Sequence, residues 1–67
     1  MNKENKAFEY EALVAEGQAI GIEVKGMIWE NEQRKVYGES MAYTESSFND
    51  KAAEMKEVVK KLRKLKS

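Results

Sequence analysis

The sequence predicts a small α+β domain: a three-stranded antiparallel β-meander followed by one C-terminal amphipathic helix packed on one sheet face. Two patterns lead to this fold class. Apolar and polar residues alternate over 20–25 and again over 35–43, which is the period of two that a half-buried strand requires. In the last third of the chain, apolar residues instead recur at helical spacing. We expect strands at 8–15, 20–30 and 35–43 and a helix at 47–65.

The segment that ends at Gly17 fits two structures. As a strand, it places Phe8, Tyr10, Ala12 and Val14 on one face. As a helix, it has favourable Ala, Glu and Leu content, and Gly17 could cap it. The apolar side chains of such a helix would, however, scatter around the cylinder. The alternation therefore favours a strand.

The second and third strands are predicted to form a β-hairpin. The alternation over 20–25 continues to Trp29, and the polar residues 31–34 supply a turn before the alternation resumes at 35–43. Gly26 and Gly38 interrupt the two strands, and glycines in such positions are typical of bulges or of close backbone approach.

The C-terminal helix is predicted from apolar residues three or four positions apart: Phe48, Ala52, Met55, Val59 and Leu62, with Val58 and Leu65 widening the stripe. Ser47 can act as the N-cap, and Asp50 three residues later takes the place of the acidic member of a capping box. The lysine-rich last turns suit the negative end of the helix dipole. We expect the stripe to cover one face of the sheet.

Length and composition predict a single domain over residues 1–67, with residues 1–6 disordered. A chain this short buries only about 60% of the surface that its unfolded form exposes. It has no Cys and no His, so it lacks disulfides and the two best zinc ligands. Oligomerisation is the remaining common means of stabilising such a small domain, and we therefore expect a homo-oligomer.

We expect a cytoplasmic protein. No segment approaches the roughly 18 apolar residues of a membrane span, and no apolar run follows the N-terminal residues to make a signal peptide. Richness in Lys, Glu and Asn is typical of an AT-rich genome, which suits a bacterial, phage or mobile-element origin.

The residue types present argue against catalysis. Without His and Cys, the chemistry available is that of carboxylates, Lys, Ser, Thr and Tyr, and no group of these converges in the sequence. No phosphate-binding loop or calcium-loop spacing occurs. We therefore predict no enzymatic activity, no cofactor and no metal site.

One apolar group is left on the sheet face that the helix does not cover. The register that unites the core residues puts Met27, Trp29 and Val36 together there, with Leu13 on the same face. An apolar patch on a small chain is typical of an interface, and Trp is enriched at binding hot spots. In the alternative interpretation, a bulge at Gly26 swaps the faces and Trp29 packs into the core. The first interpretation predicts a non-catalytic interaction protein that forms a homodimer and binds or inhibits a protein partner.

The alternative function is nucleic-acid binding by the C-terminal helix. Residues 1–50 carry ten acidic and five basic side chains, whereas residues 51–67 carry two acidic and seven basic ones, so the net charges are −5 and +5. Lys60, Lys61, Arg63 and Lys64 could contact phosphates in a salt-dependent manner. A basic helix end is, however, usually a solvated face that matches the dipole.

The predicted order of three strands and a helix resembles the later part of a double-stranded-RNA-binding domain. The resemblance lies in residues 35–40 on the third strand and 9–11 on the first. That family has a preceding helix, a Gly-Pro-x-His loop where this chain has 16–19, and lysines where it has 49–54. Because of these differences we do not assign the chain to the family.

Overall fold

A computed structural model describes residues 3–66, with side chains from Lys6 to Lys66, and these residues form a helical hairpin. Helix α1 spans Lys3–Val36 and helix α2 spans Glu45–Lys66. Residues 37–44 connect them, and no strand occurs over the described range. The prediction of an α+β domain is therefore wrong.

The predicted strands at 8–15 and 20–30 and the turn at 31–34 all lie within α1. The alternation that suggested strands also fits a helix with apolar residues on two opposite faces. At about 100° per residue, residues two positions apart point in nearly opposite directions and residues four apart point the same way. Ile20 is accordingly buried, whereas Ile22 is 71% exposed.

Gly38 ends α1 and is not a strand bulge. Its φ is +73°, a left-handed conformation that glycine adopts without steric cost. The Gly38 N–H donates to the Lys35 carbonyl at 3.1 Å, and the Glu39 N–H donates to the Arg34 carbonyl at 2.8 Å. This pair of bonds is a Schellman motif, which satisfies carbonyls at the helix end. The predicted third strand, 35–43, is therefore mostly the interhelical loop.

The helix predicted at 47–65 lies within α2. It begins two residues earlier than expected, because the Thr44 carbonyl accepts the first intrahelical bond from the Phe48 N–H at 3.2 Å. Thr44 is therefore the capping residue, and Ser47 lies inside the first turn. At the other end of the chain, residues 3–6 belong to α1, and residues 1–2 of the segment expected to be disordered lie outside the described residues.

The two helices pack antiparallel through residues at alternating steps of three and four. On α1 the facing positions are Leu13, Gly17, Ile20, Val24 and Met27; on α2 they are Met55, Val58, Leu62 and Leu65. This is the spacing of a coiled-coil seam. The Gly17 position lies within van der Waals reach of Met55 and Val58. Val58 packs opposite Gly17 and is only 2% exposed.

The hairpin buries little surface for its size. Its accessible surface is 5668 Å², against about 4,300 Å² for a compact monomer of 7.7 kDa. Its radius of gyration is 16.1 Å and its longest dimension 55 Å, whereas a compact chain of this length has a radius of gyration of about 11 Å. An excess of about 1,300 Å² therefore remains exposed around a narrow core.

Candidate interaction surfaces

One broad side of the hairpin, which we call the open side, has apolar residues on both helices, with Lys56 and Arg63 beside those of α2. It consists of Val14, Gly21 and Ile28 on α1 and Ala52, Met55 and Val59 on α2. Each of these residues except Met55 is the next residue in the chain after one that faces or contacts the other helix, so it lies at the edge of the seam. Val14 and Val59 line the same shallow depression, so both helices contribute to this side. Ile28 is 50% exposed and Val59 is 37% exposed.

The opposite broad side, which we call the acidic side, is polar. Glu9, Glu16, Glu23 and Glu30 follow one another along it at intervals of seven residues. The Lys51 Nζ reaches across from α2 and lies 2.6 Å from Glu23 Oε1 and 3.2 Å from Glu54 Oε2. Hydrogen bonding to Glu23, and then to Glu54, raises the pKa of Lys51. These contacts hold the acidic side of α1 against α2.

A third surface, which we call the back stripe, runs along α1 on the side away from α2. Large and small apolar residues occur there at every seventh position, namely Phe8, Ala15, Ile22, Trp29 and Val36. Ala12, Ala19 and Gly26 lie beside them. Trp29 is 66% exposed, and Phe8 and Val36 are more exposed still. The large residues of the stripe are therefore mostly open to solvent.

The structure divides the predicted interface patch between two places. Leu13 and Met27 are buried in the seam between the helices, where they face α2. Trp29 and Val36 lie on the back stripe and are exposed. The predicted patch assumed a sheet register that does not exist. The alternative in which Trp29 packs into the core is also not observed.

The predicted basic residues lie near the end of α2 and are all exposed: Lys60, Lys61, Arg63 and Lys64. At about 100° per residue they spread over roughly 160° of the helix circumference, so they do not form one flat patch. The Lys60 Nζ lies 3.9 Å from Glu57 Oε1. Along the part of the chain that the structure describes, no three acidic side chains lie close enough together to hold a metal ion.

Ile22, Ile28 and Phe8 were missed as candidate interface residues. The seven-residue interval from Phe8 to Val36, which a strand does not produce, could have found Phe8 and Ile22. The same interval from Val14 through Gly21 could have found Ile28. Over residues 3–66, neither helix combines the length and the apolarity that crossing a bilayer would need.

Comparisons of the chain with protein-family models, with curated proteins and with solved structures found no match. The resemblance to a double-stranded-RNA-binding domain also loses its basis, because residues 9–11 and the start of 35–40 belong to a helix.

Proposed function

We propose that this chain is a small non-catalytic interaction protein that works as a homodimer of helical hairpins and binds or inhibits a protein partner. The observation that carries the proposal is the open side. Helices of a bundle usually have apolar residues at the two seam positions and at one position beside them. Here α1 and α2 both have this third apolar position, and both present it on the same side.

A second copy of the chain is the best-fitting cover for the open side. A stable protein interface buries about 800 Å² from each partner, and the hairpin exposes about 1,300 Å² more than a compact chain of its mass. A two-fold contact would bury the same residues on both copies. The product would be a four-helix bundle whose core includes Ile28, Met55 and Val59 from each chain.

The small core supports the same conclusion. Leu13, Ile20, Met27 and Val58 are the buried apolar residues among those described. Domains shorter than about 70–80 residues rarely gain more than a few kcal/mol from one core and commonly depend on disulfides, metals or oligomerisation. With no Cys or His in the chain, association is the available means of stabilisation.

Sedimentation velocity over about 1 to 200 µM tests the proposal, because dimerisation depends on concentration. The variant Ile28→Gln changes the open side, and Ile22→Gln makes the same substitution on the back stripe. We expect a dimer for the wild type and for Ile22→Gln, and dissociation at much higher concentrations for Ile28→Gln. Circular dichroism at the highest concentration checks that both variants are helical. A wild type that stays monomeric throughout, or a dimer that only Ile22→Gln dissociates, contradicts the proposal.

Nucleic-acid binding through Lys60, Lys61 and Lys64 is the alternative function. Binding of this kind weakens steeply with added salt, whereas apolar association does not. We expect no binding of duplex or single-stranded oligonucleotides at physiological salt. Micromolar binding that disappears when the three lysines are replaced by Gln would favour the alternative.

A further inference from the structure

We infer that the back stripe of α1 is a docking site for a basic amphipathic helix of a different protein. The inference deepens the proposed function, because it names the chemistry of the partner that the dimer would bind. It concerns a different surface from the open side, so the two can fail separately.

The geometry of the stripe fits a long helix. Phe8, Ile22, Trp29 and Val36 are separated by multiples of seven residues, so they follow one line that winds slowly around the helix, by about 20° per heptad. At 1.5 Å per residue the line is about 42 Å long. An exact seven-residue interval is the pattern that matches a partner helix with its own heptad repeat, of about four heptads. Ala12, Ala15 and Ala19 leave room for the backbone of that helix to approach closely.

The charges beside the stripe define the partner. Two rows of residues flank it, one on each side, at intervals of seven: Glu9, Glu16, Glu23 and Glu30 in one row, and Glu11, Gln18, Lys25 and Glu32 in the other. Six of these eight residues are glutamates, and one is a lysine. Glu23 contacts Lys51 and Glu30 lies 3.8 Å from Arg34, so the acidic character of the rows rests mainly on the other four glutamates. An incoming helix must place its own flanking residues beside these rows, where lysines and arginines are favourable and acidic residues are repelled.

A second copy of the chain does not fit the stripe. If two α1 helices paired antiparallel through the stripe, the row of four glutamates would lie beside the same row of the second copy. If they paired parallel, that row would lie beside the other row, which has a single lysine. The apolar residues that the α2 helix of a second copy offers on its open side are Ala52, Met55 and Val59. These lie within eight residues, a rise of about 11 Å, which would cover a quarter of the stripe. The acidic rows also disfavour the phosphates of nucleic acids and anionic lipids.

Trp29 provides a direct readout, because it is the one Trp in the chain and lies on the stripe. Its fluorescence shifts to shorter wavelength when a partner excludes water from the ring. The probe is a synthetic four-heptad helical peptide with Leu and Ala at its seam positions and Lys at its flanking positions. The first control peptide has Glu in place of Lys. The second has the composition of the basic peptide in an order that scatters the apolar residues around the helix.

We expect a saturable blue shift with the basic peptide, and binding at least about tenfold weaker with either control peptide, because both the charge and the stripe are needed. The variant Ile22→Gln keeps Trp29 but removes a neighbouring contact, and we expect it to weaken binding of the basic peptide by about tenfold or more. The matched variant Ile28→Gln changes the open side and should bind the peptide with wild-type affinity per hairpin.

Three results would overturn the inference: no shift with the basic peptide, equal binding of a control peptide, or equal affinity of the wild type and Ile22→Gln. A fourth is a blue shift that grows with the concentration of the chain alone and is lost in Ile22→Gln, since it would make the stripe a contact between copies. Sedimentation of Ile28→Gln separates these outcomes from failure of the proposed dimer. A monomeric chain that binds the basic peptide at the stripe would refute the dimer and support the docking site.

Discussion

The side-chain amide of Asn31 on α1 forms two hydrogen bonds with the backbone of Tyr43. Asn31 Nδ2 donates to the Tyr43 carbonyl at 2.9 Å, and the Tyr43 N–H donates to Asn31 Oδ1 at 3.0 Å. The amide therefore satisfies a donor and an acceptor of the loop just before α2 begins. Asn31 lies four residues after Met27, at the next position of the seam between the helices. The seam therefore ends in this polar contact, which fixes the loop against α1.

Asn31→Ala should destabilise the hairpin by about 1 to 2 kcal/mol, because both hydrogen bonds are lost at once and each contributes about 1 kcal/mol or less at a partly exposed site. Thermal and urea denaturation measure the change at one protein concentration. Asn49→Ala on the exposed surface of α2 is the control and should remain within about 0.5 kcal/mol of the wild type. Equal stabilities of the two variants would mean that the Asn31–Tyr43 pair contributes nothing.

Val58→Ala should lower the free energy of unfolding by about 2 kcal/mol. Val58 is the most buried side chain described, and removing its two methyl groups leaves a cavity beside Gly17. Val36→Ala makes the same substitution at an exposed position, and we expect it to change stability by less than about 0.5 kcal/mol. Urea denaturation followed by circular dichroism decides between them. If Val36→Ala costs as much as Val58→Ala, the seam does not pack as described.

Two glycines should respond in opposite directions to substitution by Ala. A Cβ at Gly26 or at Gly38 meets no atom within 4 Å, so packing does not distinguish them. Gly26 lies inside α1, where Ala is favoured by about 1 kcal/mol, and we expect Gly26→Ala to stabilise the hairpin. Gly38 has a φ of +73°, where Ala costs about 1 to 2 kcal/mol. Thermal denaturation of both variants tests this, and a stabilising Gly38→Ala would exclude the left-handed helix end.

The C-terminal helix could be predicted because α2 is apolar along one stripe and polar elsewhere. The centre of the predicted stripe is nevertheless about one residue away from the side of α2 that faces α1. Val58 and Leu65 were placed at its margin, yet Val58 is the buried residue and Val59 is more than a third exposed. Nothing in α2 alone shows which of these two neighbouring valines faces α1, because that depends on the residues that α1 presents.

The long first helix could not be predicted from a single apolar stripe, because it has apolar residues both in the seam and on the back. Those two sets are what produced the apparent alternation of Ile20, Ile22 and Val24. The clues to a helix were the steps from Leu13 to Met27, which fit a seam of three and four, and the absence of Pro from the whole chain. Exposed apolar residues such as those of the back stripe weaken the helical periodicity from which a helix is predicted.

The Lys51 contacts predict a specific loss of stability at high pH. Hydrogen bonding to Glu23 and Glu54 raises the pKa of Lys51 above its ordinary value of 10.5. A group whose pKa is higher in the folded than in the unfolded chain contributes stability that is fully present below the unfolded pKa. That contribution is lost as the pH rises through the folded pKa. The wild type should therefore lose more stability than Lys51→Gln does as the pH rises above 10.5. Lys60→Gln, whose lysine lies 3.9 Å from Glu57 on the exposed surface, should keep the wild-type loss.

Urea denaturation across this pH range measures all three proteins. An identical loss in the wild type and Lys51→Gln would show that the contact between α2 and the acidic side of α1 does not stabilise the hairpin.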